Sequence, residues 1–112
     1  MAQIQRRKER YYRHLSNKVL QMYYELESGS VPGGEFDVRV LNYRLDVERL
    51  FRTLSQSDQS LLTAVYRDGL TATEAVRAQS VGPLLSVARA EVSLGRLLDQ
   101  HQLLNVEAYL NP

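Results

Sequence analysis

Two groups of side chains in this 112-residue chain have types and spacing suited to chemistry. Ser86, Arg89, Ser93, Arg96 and Gln100 recur at 3-4-3-4 spacing, which a helical backbone gathers into one polar stripe. Gln5 to His14 is a basic run holding Arg6, Arg7, Lys8, Arg10 and Arg13. A guanidinium is a planar fork that pairs with guanine edges or phosphate oxygens, and a serine hydroxyl donates to phosphate. Ser86, Arg89, Ser93 and Arg96, together with the basic residues of the run, are therefore candidate nucleic-acid contacts. Affinity for a nucleic acid depends largely on phosphate neutralisation. The two arginines of the stripe supply little of it, so the run would have to lie along a backbone or enter a groove. Each group also has a plainer reading as a solvated helix face, and the run suits a partner's acidic surface as well.

Other chemistries find little support. His14 and His101 are the two histidines, far apart in sequence, and neither has a carboxylate at metal-ligand spacing. Asp58 and Asp68 read as helix-terminal residues. Gly33-Gly34 is followed by no lysine or threonine of the kind a phosphate-binding loop needs. With no cysteine there is no disulfide, thiolate metal site or cysteine nucleophile. No enzymatic activity, metal or cofactor is expected. The pairs Tyr11-Tyr12 and Tyr23-Tyr24 suit base stacking, but adjacent helical residues diverge by about 100°. One of each pair is expected to pack inward, in the core or against a second copy.

The charge is uneven. Up to Tyr24 there are six basic residues against Glu9; from Glu25 onward eight basic residues face twelve acids. The hydrophobic share of 44% and charged share of 24% are those of an ordinary globular domain. The arginines near the start are followed by no apolar stretch, so a signal peptide is not expected. No run approaches the roughly 18 apolar residues of a membrane span. These features set the expectation of one cytoplasmic domain with no membrane contact.

The elements that must position these residues are all helical. Residues 3–27 read as one long basic amphipathic helix, with Ile4, Tyr11, Leu15, Val19, Met22 and Leu26 at helical spacing. A glycine-rich loop, 28–35, ends it. A second helix is expected over 37–54, with Val40, Leu41, Tyr43, Val47, Leu50, Phe51 and Leu54 inward. Arg44–Glu48 and Asp46–Arg49 are spaced to pair on its surface. Ser55 to Asp58 resembles a capping box opening a third helix with Leu61, Leu62, Val65 and Tyr66 inward, and Gly69 suits a left-handed stop. Thr71 to Glu74 is a second capping box, opening a short helix with Ala75, Val76 and Ala78 inward. Gly82-Pro83 then opens a fifth helix from about Pro83 to about Leu104, with Gly95 as a weak point. That helix is apolar around most of its circumference, as befits a central core helix, a dimer element, or both.

From Leu54 to Leu98 the pattern resembles region 4 of bacterial sigma factors. Leu54-Ser55, Leu61-Leu62, Tyr66-Arg-Asp-Gly69-Leu70-Thr71 and Glu74-Ala75-Val76 carry the resemblance, with Val81 and Arg89 matching loosely. It covers under half of the chain. The resemblance implies a helix-turn-helix unit, within residues 55–104, whose last helix reads DNA. The sequence departs from the pattern at Ser80, at Gly82-Pro83, and at Leu84 and Leu85. The last two stand where the family presents polar residues.

The expectation is therefore an all-α chain of about five helices acting as a small transcription regulator. It would bind duplex DNA through the fifth helix with help from the basic first helix, and two-fold sites would favour a homodimer. The alternative is a helix-turn-helix fold turned into a protein-interaction module. It would bind a polymerase subunit or another regulator through Leu84 and Leu85.

Overall fold

The computed structural model describes residues 2–27, 38–79 and 86–103, with side chains from residue 7 onward. Every regular element among them is an α-helix: α1 (Ala2–Glu27), α2 (Val38–Phe51), α3 (Gln56–Tyr66), α4 (Ala72–Gln79) and α5 (Val87–Gln100).

The boundaries follow from local chemistry. At α3, the Ser55 hydroxyl accepts the Asp58 N–H at 3.2 Å, the bond a serine N-cap makes. Gly69 ends that element at φ 75°, and the Leu70 N–H reaches back to the Ala64 carbonyl at 3.0 Å. Such a six-residue bond needs a left-handed residue, which glycine adopts without steric cost. At α4 the capping box is reciprocal: Thr71 N–H donates to Glu74 Oε1 at 3.0 Å, and Glu74 N–H to Thr71 Oγ1 at 3.2 Å. That hydrogen bonding holds the Glu74 carboxyl below its usual range.

Helix α5 is the organising element, in contact with all four others. Its buried residues are Val87, Ala90, Glu91, Leu94, Gly95 and Leu98. The main core joins Leu15, Val19 and Leu20 of α1 to Val40, Tyr43, Val47 and Leu50 of α2, and to Ala90, Leu94 and Leu98 of α5. A smaller core seats Ala75 of α4 on Leu61 and Ala64 of α3, beside Val87. Each fully buried leucine or valine contributes about 1.5–3 kcal/mol, so the α1–α2–α5 packing dominates. The apolar circumference of α5 is thus largely consumed inside one chain.

Several expectations need correcting. The inward stripe of α1 is rotated toward Ser16 and Leu20, which are buried. Tyr11, placed inward by its spacing, is 45% exposed. On α2, Leu41 faces out, and Glu48 pairs with Arg52 at 2.6 Å in place of Arg44. The expected Asp46–Arg49 pair is present at 3.8 Å. Ala78 of α4 is exposed. Ser86 is extended (φ −148°, ψ 128°) and caps α5, so the helix begins at Val87 where a start at Pro83 was expected. Its end is Gln100, followed by Gln102 at φ 57° and buried Leu103. The α5 helix runs on through Gly95, where the α1 backbone lies close against it. A Cβ there would lie 2.1 Å from the Tyr12 carbonyl oxygen.

The glycine-rich loop, the turn at Ser80–Pro83 and the Leu84-Leu85 pair lie outside the described residues.

Candidate functional site

The α1–α5 crossing builds two adjoining features: an exposed basic cleft and a buried polar network. The cleft, of about 340 Å³, is lined by Glu9 and Arg13 of α1 and by Ala88, Arg89, Val92, Ser93 and Arg96 of α5. Its arginines are held in different ways. Arg96 lays its guanidinium over the Tyr12 ring, 5.5 Å from the centroid. The quadrupole of the ring favours a cation there and fixes the direction of the side chain. Arg13 donates from Nε to Glu91 Oε1 at 3.3 Å, and its side chain stays 53% exposed. Arg89 is exposed at the first turn of α5.

Behind Arg13 lies the network. The Glu91 carboxylate, with its side chain 9% exposed, also accepts a hydrogen bond from the Tyr66 hydroxyl. Asn17 Nδ2 donates to the same tyrosine oxygen at 3.1 Å. The Ser16 hydroxyl donates to the Glu91 main-chain carbonyl. A buried carboxylate is costly unless paired and hydrogen-bonded, and these contacts supply both. Burial first, and then the bond to Glu91, push the Tyr66 hydroxyl well above the ordinary tyrosine range. An open groove of about 840 Å³ runs along this network between α1, α3, α4 and α5, with Arg77 of α4 on its wall.

The sequence-predicted residues are thus partly assembled. Arg13, Arg89, Ser93 and Arg96 meet in one cleft. Ser86 lines the larger groove, and its hydroxyl is engaged by the Arg89 backbone N–H at 3.4 Å. Arg7, Lys8 and Arg10 are exposed but line neither cavity. At about 100° per residue, Arg10 stays on the flank of Arg13, whereas Arg7 and Lys8 are turned away. The Arg6 side chain, like Leu84 and Leu85, lies outside the described residues. His14 and His101 are exposed, and among the described residues no three His, Cys, Asp or Glu side chains cluster.

Sequence reasoning missed Glu91 and the polar role of Tyr66. The signal was present: Val87, Glu91, Leu94 and Leu98 share one helical stripe, so the carboxylate had to face the core and find a partner there.

Comparisons with family models, with curated proteins and with solved structures found no match to this chain.

Proposed function

We propose that this protein is a small cytoplasmic transcription regulator that binds duplex DNA through α5, within a helix-turn-helix-like unit formed by α3, α4 and α5. One observation carries the reading: Arg13 of α1 lines the same cleft as Arg89, Ser93 and Arg96 of α5. The basic first helix and the polar stripe of the fifth therefore present charge to one ligand. The stripe opposes the buried face of its helix, and its two arginines are exposed. Arg10, on the same flank of α1, extends the basic surface toward the N-terminus.

The test is binding of mixed-sequence duplex measured across salt concentrations. Three phosphate contacts, by Arg13, Arg89 and Arg96, give a slope of log affinity against log salt of about −3. Arg89→Ala and Arg96→Ala each weaken binding and make that slope shallower by about 1. Lack of retention on DNA even at low salt overturns the reading.

An exposed apolar stripe on α2 favours a second reading. Val38, Leu41 and Leu45, at 68%, 44% and 48% exposure, follow one another at helical spacing away from the core. Such a stripe suits a protein-interaction module that binds a polymerase subunit, another regulator or a second copy. Loss of a partner on Leu41→Ser and Leu45→Ser, with DNA binding absent throughout, is the outcome that selects it.

A further inference from the structure

A second site lies where the C-terminal half of α1 meets α2 and α3, and it shares no residue with the basic cleft. It is a cavity of about 160 Å³, the space of about five water molecules at roughly 30 Å³ each. Three aromatic rings line it: Tyr23 and Tyr24 of α1 and Phe51 of α2. The tyrosine rings stand edge to face, with centroids 5.1 Å apart and planes at 86°, so together they form a corner. All three rings are half-buried against the main core, which fixes their orientation without closing the cavity.

Charge at the opening is acidic. Glu27 and Glu48 both line the cavity, opposed by Arg67. The Arg67 guanidinium is forked onto Asp68, at 2.9 Å and 3.3 Å, which sets its charge against a carboxylate outside the cavity. Glu48 keeps a partner in Arg52, and Glu27 is exposed at the end of α1. Both carboxylates bear on Tyr23; Glu27 and Asp68 bear also on Tyr24, where Arg67 opposes them. At Tyr23, Arg44 opposes the carboxylates from outside the lining.

From the ring corner, the third ring and the paired carboxylates, we infer that this cavity binds a methylated ammonium group. The negative faces of aromatic rings attract a cation that sheds water easily, and aromatic cages are the usual receptors for quaternary ammonium. A trimethylammonium head and its first carbon make five heavy atoms, matching the space. An unmethylated ammonium holds its water more strongly and would lose more on entering. A phosphate or carboxylate would meet Glu27 and Glu48 and be repelled. The head group can come from a small free cation or from a methylated lysine of another protein.

Amide NMR shifts on titration of the full chain with choline test the site. Saturable shifts confined to Leu20–Glu27, Val47–Phe51 and Thr63–Arg67 are expected. 3,3-Dimethylbutanol, the neutral isostere, should bind about two- to fivefold more weakly, the scale of an exposed cation–π contact. Glu27→Gln, at an exposed position, should weaken choline without altering the fold. Tyr24→Phe should keep binding, because the ring remains, whereas Tyr24→Leu should lose it. A peptide carrying trimethyl-lysine that binds tighter than choline assigns the source to a protein; equal or weaker binding assigns it to a free cation. Absence of saturable shifts with choline, or equal response to the neutral isostere, overturns the inference.

Discussion

At the scale of single residues, the charged side chain buried among the described residues is Glu91, with Ser16 the buried polar residue beside it. The partners of the Glu91 carboxylate come from different parts of the chain: Arg13 from α1 and Tyr66 from α3. Removing the tyrosine hydroxyl alone leaves the carboxylate with one charged partner and takes the acceptor from Asn17. Tyr66→Phe should therefore cost about 1–3 kcal/mol, the penalty of an unmet buried polar group, read as a fall in the urea midpoint. Glu91→Gln with Tyr66→Phe in a double-mutant cycle should show coupling, since the two share one bond. These residues mark the limit of what periodicity reveals. Apolar spacing placed Tyr66 inward correctly, but it weighs Glu91 as polar and says nothing of a hydroxyl and a carboxylate that meet across 25 positions.

At the scale of elements, two positions set the geometry of α5. Gly95 lets the α1 backbone approach closely, and a methyl group there would collide with the Tyr12 carbonyl. Backbone cannot swing aside as a side chain can, so Gly95→Ala should cost roughly 3 kcal/mol, measured by thermal unfolding. Helix propensity alone would have that substitution stabilise the helix; the sign of the result separates the two effects. Ser86 fixes where the helix begins. Ser86→Ala should cost about 1 kcal/mol through the lost cap, whereas Ser93→Ala, which removes no cap, should stay within about 0.5 kcal/mol. If both weaken DNA binding while Ser86→Ala alone lowers stability, capping and contact are told apart. The caps at Ser55 and Thr71 and the stop at Gly69 were legible because each acts within a few residues. The outward turn of Tyr11 and Leu41 was not, since which flank of a stripe is covered depends on where its neighbour crosses. The helix-turn-helix reading rests on the local signals of α3 and α4, and the cleft of Arg13 with Arg96 rests on a crossing no local signal encodes.

At the scale of the whole molecule, buried tyrosines make folding sensitive to alkali. Burial pushes the Tyr43 hydroxyl up to about 12, and Tyr66 is also raised, while an unfolded tyrosine titrates near 10. The neutral form is the one the fold prefers, so this stability is fully present below about pH 10. It is lost as pH rises from there toward 12, because the unfolded chain releases its protons first. Absorbance at 295 nm should show these tyrosines ionising late and together with loss of helical circular dichroism, and Tyr66→Phe should reduce the pH dependence of the unfolding free energy. The closeness of α1 to α5 has a further consequence, for the order of assembly. Ser16 meets Glu91 across 75 positions of chain, and closing so long a loop is slow compared with forming the local α3–α4 pair. On a ribosome adding roughly 5–20 residues per second, α1 emerges well before α5 and waits several seconds for the helix it needs. The part of its apolar stripe that packs on α5 stays uncovered through that interval, so α1 completes its packing only after α5 has been made.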